Sequence, residues 1–241
     1  MPTISTTFFR RKKYRQQGIA LYVVIIFVLL SMLLALWAAR SALFNEIIVG
    51  NDADYRRTFE AAQAMLQDAE FDIRGVNPDG SFCTPNANSG DLCRSTTSVY
   101  FDIEAKDLEN LLSTVGTQSP TTKCYKGICQ KRTGAQDFWN DKTTLTAMTA
   151  ANVGATYGQF TGATATNNSI LSNQAWYWVE IMPYIDSNVS LLSVLPPGSN
   201  VEKFAPTRKK PWVYRITAYA RGTKPGSEVV LQSTLSIQAF E

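Results

Sequence analysis

The stretch IALYVVIIFVLLSMLLALWAA, residues Ile19 to Ala39, decides how the rest of the chain is organised. It contains no charged residue, and thirteen of its positions are Ile, Leu, Val or Phe. At about 1.5 Å of rise per residue, a helix of this length spans roughly 32 Å, which matches a hydrocarbon core of about 30 Å. The stretch therefore predicts a transmembrane helix over residues 19–39.

A short basic segment precedes the apolar stretch and ends at Gly18. Its basic residues are Arg10, Arg11, Lys12, Lys13 and Arg15. A secretory signal peptide cut near residues 36–42 is one alternative, but its apolar region would be about 21 residues long against the usual 7–15. By the positive-inside rule the basic segment stays cytoplasmic, so we expect everything after Ala39 to cross the membrane.

Composition narrows the range of functions. The chain of 241 residues contains no histidine, which excludes Ser-His-Asp and Cys-His catalysis and HExxH zinc sites. It contains no Gly-rich phosphate loop and no calcium loop, and Asp52 and Asp54 lie two apart on a predicted helix, pointing to different faces. The net charge of +3 is too small to indicate nucleic-acid binding, and without residues 1–18 it becomes −2. We therefore predict no enzyme, no cofactor, no metal and no nucleic-acid partner.

The helical pattern continues beyond the apolar stretch, over residues 40–75. No proline occurs between Ile19 and Val76, and Gly75 followed by Asn77-Pro78 provides a stop signal. Apolar residues recur at helical spacing, and charged or amide residues, Asp54 among them, occupy the other faces. We therefore predict an amphipathic helix whose apolar stripe needs a sheet to cover it. The predicted stripe consists of Phe44, Ile48, Tyr55, Phe59, Ala62, Leu66, Ala69 and Ile73.

Residues 76–241 are typical of strands and loops. Three segments have strand character, Gln174–Ile185, Trp212–Ala220 and Glu228–Ala239, and residues 221–227 form the turn between the last two. Val229, Leu231, Leu235 and Ile237 share one face of the last strand. The pattern predicts an α+β fold in which a long N-terminal helix packs on a C-terminal antiparallel sheet.

Other segments of this region carry weaker signals. The residue pattern predicts a helix over Asp107–Val115, a strand over Val99–Ile103 and a long loop over Ala147–Asn173. Trp176 and Trp178 alternate with Tyr177 and so share one face, which we expect to pack against the helix. We expect the basic run at residues 208–210 to form an exposed turn.

Four cysteines, Cys83, Cys93, Cys124 and Cys129, all follow the predicted membrane helix. Beyond the membrane they lie in an oxidising compartment, so we expect disulfides. Four cysteines allow three pairings, and loop closure favours the local pairs Cys83–Cys93 and Cys124–Cys129. The spacing does not match the paired CxxC knuckles of a zinc site.

The N-terminus resembles the class III signal of type IV pilins, in which a basic leader ends in glycine immediately before an apolar helix. The resemblance implies that a prepilin peptidase cuts between Gly18 and Ile19 and methylates the new N-terminus at Ile19. Pilins usually have Phe at the first mature position and Glu at the fifth. Here these positions hold Ile19 and Val23, so the usual assembly glutamate is missing.

The segment FNEIIVGNDADYRRTFEAAQAMLQDAE, residues 44–70, resembles the N-terminal region of PilX-type minor pilins. The features shared with that family are Glu46, the Gly50-Asn51 pair and the alanine-rich run Ala61–Glu70. The strand sequences at residues 214–218 and 229–234 resemble the last two strands of the family. PilX-type proteins commonly lack the fifth-position glutamate, so Val23 fits this group.

The resemblance implies a minor pilin, a structural and priming subunit in a tip or initiation complex of the type IV pilus, which serves twitching motility and cell adhesion. Its expected partners are other minor pilins and the major pilin through the helix, a large tip adhesin, the prepilin peptidase and the inner membrane. We expect a periplasmic C-terminal domain before assembly and a cell-surface pilus location afterwards. The alternatives are a minor pseudopilin of a type II secretion system and an uncleaved single-pass membrane protein with a periplasmic binding domain.

Overall fold

The computed structural model describes residues 19–86, 88–166, 168–184 and 211–237. The basic N-terminal segment that ends at Gly18 and the basic run at 208–210 lie outside the described residues. The chain divides into two compact units, one up to Gly50 and one from Asn51 onward.

Helix α1 covers Ile19–Arg74, as the uninterrupted apolar and amphipathic patterns predict. Its end is a Schellman motif, in which the Val76 N–H donates to the Phe71 carbonyl at 3.0 Å and the Gly75 N–H donates to the Asp72 carbonyl at 3.2 Å. Gly75 has φ of +66°, the left-handed conformation that favours glycine at this position. The predicted stop signal after Arg74 is confirmed.

The sheet of the second unit is built around three long antiparallel strands, β4 (Ala175–Pro183), β5 (Trp212–Arg221) and β6 (Glu228–Leu235). Shorter strands extend it: β1 (Cys124–Tyr125), β2 (Ile128–Cys129) and β3 (Ala155–Thr156). The order is β1-β2-β4-β5-β6, with β3 also paired to β4. The predicted α+β pilin-like architecture is confirmed, and because β2 runs parallel to β4 the sheet is mixed.

Three short helices complete the described part of the second unit: α2 (Leu108–Gln118), α3 (Lys142–Met148) and α4 (Ser169–Asn173). The helix predicted at Asp107–Val115 is therefore present, slightly shifted. The loop predicted for Ala147–Asn173 is wrong in part, because it contains the end of α3, strand β3 and α4. Val99–Ile103 is not a strand of the sheet, although its residues alternate between buried and exposed as the prediction required.

The sheet separates two cores. On one face, Tyr177, Ile216 and Ala218 pack with the buried residues of α1. On the opposite face, Trp178 packs with Phe138, Met148 and the Cys124–Cys129 disulfide. The expectation that the tryptophan face packs against the helix is therefore wrong, since alternation in β4 places Tyr177 on that side instead. The shared face of Val229, Leu231, Leu235 and Ile237 is confirmed, because all four pack in or against the helix-side core.

The face of α1 that the sheet covers differs from the predicted stripe. Tyr55 and Phe59 are 52% and 36% exposed, so they lie outside the covered face. Three alanines, Ala61, Ala62 and Ala69, lie on the covered face and are at most 1% exposed. The polar residues on the covered face have partners in the domain, described below. The buried residues of α1 are Asp54, Thr58, Ala61, Ala62, Met65, Asp68, Ala69, Asp72 and Ile73.

Candidate assembly site

The first unit presents an unbroken apolar surface. Every residue of α1 from Ile19 to Val49 is exposed, with Trp37 at 72%. An 18-residue window of the helix has a mean hydropathy of 3.1, and none of that window is buried. The hydroxyl of Ser31 donates to the Val28 carbonyl at 2.9 Å, so this polar group is satisfied within the helix. By length and composition the segment suits a membrane or a bundle of similar helices.

The residues predicted for processing and assembly fall at the start of this surface. Gly18 lies outside the described residues, and Ile19 is the first residue of α1. Val23 follows one helical turn later and is 41% exposed. Both side chains are apolar, so each adds to the apolar surface rather than placing a charge on it.

In the second unit, Asp54 fixes the amphipathic half of α1 to the turn between β5 and β6. Its Oδ1 accepts from the Thr223 N–H at 3.1 Å and the Thr223 hydroxyl at 2.5 Å, and its Oδ2 accepts from the Lys224 N–H at 3.0 Å. We call this arrangement the Asp54 clamp. These hydrogen bonds, led by that of the Thr223 hydroxyl, lower the pKa of Asp54 to about 2.

The approach of the β5–β6 turn to α1 depends on Gly222. A Cβ at this position would collide with the Asp54 carboxylate, and it would lie 2.5 Å from Ser227 Oγ and 2.6 Å from Thr58 Oγ1. Thr58 itself is buried and donates to the Asp54 carbonyl at 2.7 Å. The turn therefore reaches the helix because position 222 has no side chain.

Asp72, in the last turn of α1, is the centre of a buried charged group. Arg94 donates from Nε to Oδ1 at 2.8 Å and from Nη2 to Oδ2 at 2.6 Å, and the Tyr177 hydroxyl donates to Oδ2 at 2.6 Å. The Arg94 guanidinium stacks on Phe101 and Phe160, at 4.6 and 3.8 Å from their ring centres. Burial opposes the charge of Arg94, but the Asp72 carboxylate outweighs this and raises the pKa of Arg94.

Asp68, one turn from Asp72, holds a loop of the domain. Its Oδ2 accepts from the Gly158 N–H at 2.8 Å, and its Oδ1 accepts from the Thr161 hydroxyl. Only 2% of the residue is exposed. Burial raises the pKa of Asp68 to about 6, although both hydrogen bonds act in the opposite direction.

Two disulfides fasten the loops around the sheet. Cys83 is joined to Cys93, which links the segment after α1 to the turn that carries Arg94. Cys124 is joined to Cys129 across the β1–β2 hairpin. These are the two local pairings that loop closure favours.

The face of the sheet opposite α1 carries a groove of about 710 Å³ beneath the loop at residues 130–141. Glu180 fastens this loop to the sheet, accepting from the Arg132 N–H at 2.8 Å. The same carboxylate accepts from Arg215 Nε at 2.6 Å.

In the part of the chain that the structure describes, no group of three or more His, Cys, Asp or Glu residues could hold a metal ion. Asp52 pairs with Arg56 at 2.9 Å, apart from the Asp54 clamp.

Sequence reasoning missed the role of the helix aspartates, because it placed Asp54 on an exposed face. A signal was present: Asp54, Ala61 and Asp68 recur every seven residues, and so do Thr58, Met65 and Asp72. A polar residue that recurs at the spacing of buried apolar residues is expected to be buried with them. It therefore needs a hydrogen-bonding partner elsewhere in the chain. The partners Thr223, Gly158 and Arg94 lie far away in sequence and could not be identified from spacing.

The first half of α1 is apolar and exposed, and its second half packs on the sheet. A single helix divided in this way is typical of a pilin-like subunit. Comparison with known families agrees with this class. The model described as PilX N-terminal matches residues 17–67, and the model described as Type IV pilus assembly protein PilX C-term matches residues 125–237. No curated protein and no solved structure matches the chain.

The two family models cover about two thirds of the chain in the order expected for one protein. The chain therefore belongs to the PilX family of type IV pilus assembly proteins, which are minor pilins. Members of this family are structural subunits that interact with other pilus components, and the apolar helix accounts for membrane anchoring and pilus association.

Proposed function

We propose that this minor pilin primes pilus assembly from a tip or initiation complex. The observation that carries the proposal is Val23, an apolar residue at the fifth position after Gly18. By resemblance to pilins, a glutamate at this position neutralises the N-terminal amine of a neighbouring subunit. A buried carboxylate without its partner is costly. A subunit at the start of the fibre lacks one neighbour, so it loses little by having valine.

The proposed route begins with cleavage between Gly18 and Ile19 by prepilin peptidase, followed by methylation of Ile19. The mature subunit waits in the inner membrane with its C-terminal domain in the periplasm. During assembly α1 leaves the lipid and packs among the helices of other minor pilins and the major pilin. The proposed domains are 1–18 as leader, 19–39 as membrane and assembly helix, 40–75 as its periplasmic part and 76–241 as the globular domain.

The proposal extends to a large adhesin at the pilus tip as partner of the globular domain, and to the cell surface as final location. The proposed tip position supports the adhesin as partner and the cell surface as location, because a domain at the end of a fibre contacts other surfaces first. The proposed mechanism is assembly, with no catalytic step in this chain.

Mass spectrometry of the protein isolated from cells tests the processing step. We expect a mature N-terminus at Ile19 that carries one methyl group, and an intact leader in the Gly18→Glu variant. An unprocessed wild-type protein would instead favour the single-pass membrane protein considered above.

Immunogold labelling of sheared pili tests the position. We expect label at one end of the fibre, and we expect Val23→Glu to shift a measurable part of the label into the shaft. Label spread evenly along wild-type fibres would contradict the tip position. Recovery of the wild-type protein only with secretion components, and never with pili, would favour the pseudopilin alternative.

A further inference from the structure

The buried carboxylates of the described domain differ in what balances their charge. Asp72 is paired with Arg94 at 2.6 Å, and Glu180 is paired with Arg215 at 2.5 Å. Asp54 accepts three hydrogen bonds from the turn at residues 223–224. Asp68 accepts from one backbone N–H and one hydroxyl, and no Lys or Arg of the described residues forms an ion pair with it.

Asp68 also lines a cavity of about 220 Å³, which we call the Asp68 cavity. A water molecule needs roughly 10–15 Å³ of such volume, so the cavity has room for the five heavy atoms of a lysine side chain. The walls include one further polar residue, Gln67, and several apolar or aromatic ones. These wall residues are Ala64, Phe71, Pro78, Tyr157 and Ala163.

The electrostatics of the Asp68 cavity favour a cation. Burial raises the pKa of Asp68, and the neighbouring Asp72 raises it further, although the Asp72 charge is itself paired with Arg94. Burial and the Asp68 charge also raise the pKa of Tyr157, so this hydroxyl stays neutral near the carboxylate. At neutral pH the cavity therefore holds a negative charge that no group of the described fold neutralises.

We propose that the Asp68 cavity binds a lysine side chain of a neighbouring pilus subunit. The ammonium group pairs with Asp68, and the methylene stem packs against Phe71 and Tyr157. Each oxygen of Asp68 already accepts one hydrogen bond, which disfavours the two-pronged contact of an arginine and suits the single point charge of an ammonium. The identity of the partner rests on the proposed pilus function, whereas the affinity for an ammonium group does not.

The first test measures the Asp68 pKa by NMR on full-length protein in detergent with ¹³C-labelled aspartate. The probe is n-butylammonium chloride, compared with sodium chloride at equal ionic strength and with n-butanol. We expect only the butylammonium salt to lower the Asp68 pKa, by at least one pH unit at saturation. Equal responses to the two salts would overturn the cavity as an ammonium site.

The second test locates the partner in cells with a photo-cross-linking amino acid at Gln67, which lies at the exposed edge of the cavity. We expect a cross-link to another pilus subunit, mapped to a peptide that contains lysine. It should fall at least fivefold in Asp68→Asn and stay unchanged in Asp52→Asn. A cross-link that is unaffected by Asp68→Asn, or none in cells that assemble pili, would overturn the subunit contact. Cells whose protein never enters pili would instead contradict the proposed function, independently of the butylammonium result.

Discussion

At the scale of single residues, Asp54 shows how a charge can define where a helix meets a sheet. It is 4% exposed and receives its hydrogen bonds from residues about 170 positions away. A hydrogen bond to a charged group contributes about 1.5–3 kcal/mol, and an unsatisfied donor adds a desolvation cost. The clamp therefore favours one position of α1 along the sheet over any position shifted by a helical turn.

Replacing Asp54 with alanine should lower the free energy of unfolding by about 2–4 kcal/mol, because three donors of the turn lose their acceptor. Chemical denaturation of the full-length protein in detergent, followed by near-ultraviolet circular dichroism, measures this loss. Asp52→Ala is the matched control, since Asp52 forms only an exposed pair with Arg56 and should change stability by less than about 1 kcal/mol. Equal effects of the two variants would contradict the clamp.

Gly222→Ala should destabilise the domain by about 1–3 kcal/mol, because the added Cβ would push the turn away from Asp54 and Thr58. Gly134→Ala provides the control, since a Cβ at Gly134 meets nothing within 4 Å. The same unfolding experiment compares the two. If the variants were equally stable, the close approach of the turn would not be required.

Asp68 should make stability depend on pH between about 4 and 6. Its pKa is about 6 in the folded protein and close to 3.8 when unfolded, so the unfolded chain releases its proton first as the pH rises. The Asp68 contribution to stability therefore falls by roughly 3 kcal/mol over this window and is constant above it. Denaturation of wild type and Asp68→Asn from pH 4 to 7.5 isolates the effect, since other groups cancel in the difference. A difference that is independent of pH would contradict the raised pKa.

At the scale of elements, the sequence predicted helices α1 and α2, but it predicted neither the short helices α3 and α4 nor the face of α1 that the sheet covers. The length of α1, its end at Arg74 and the three long strands follow from apolar spacing and stop signals. Hydrophobicity alone assigned Tyr55 and Phe59 to the covered face, whereas the sheet accepts alanines and bonded aspartates there. Those aspartates become favourable only through partners in distant loops, which no local pattern reveals.

The residues of the candidate assembly site could likewise be predicted only in part from the sequence. The apolar helix with Ile19 and Val23 follows from residue types along one segment. The tryptophan side of β4 was assigned wrongly, because alternation fixes which residues share a face but not which face meets the helix. The parallel pairing of strand β2 depends on tertiary contacts, and so does the absence of Val99–Ile103 from the sheet, so neither could be predicted from short apolar runs.

Ala62→Leu should destabilise the packing of α1 on the sheet by about 1–3 kcal/mol, because Ala62 is fully buried in the helix-side core and a larger side chain would overpack it. Ala53→Leu adds the same three carbon atoms at an exposed position of α1 and should change stability by less than about 0.5 kcal/mol. Thermal unfolding of both variants in detergent checks the difference. A tolerated leucine at position 62 would mean that the covered face lies elsewhere.

At the scale of the whole molecule, the apolar half of α1 should determine membrane association. Its thirteen large aliphatic and Phe residues favour insertion by about 4–8 kcal/mol, and arginine near the middle costs about 2.5–3.5 kcal/mol each. Leu29→Arg combined with Leu30→Arg should therefore move most of the protein out of the membrane fraction after alkaline extraction. Phe44→Arg, beyond the apolar stretch, should leave it membrane-bound. Retention of the double variant would argue against a membrane helix.

The Asp54 clamp has a consequence for the order of events during synthesis. The helix residue is made early, and its partners Thr223 and Lys224 follow 169 and 170 residues later. At ~5–20 residues per second, the ribosome supplies these partners roughly 8–34 s after Asp54. Until then Asp54 has no partner, whereas Arg94 follows its own partner Asp72 by only 22 residues. The β5–β6 hairpin is therefore needed to close the domain, because a chain truncated before it lacks the partners of Asp54.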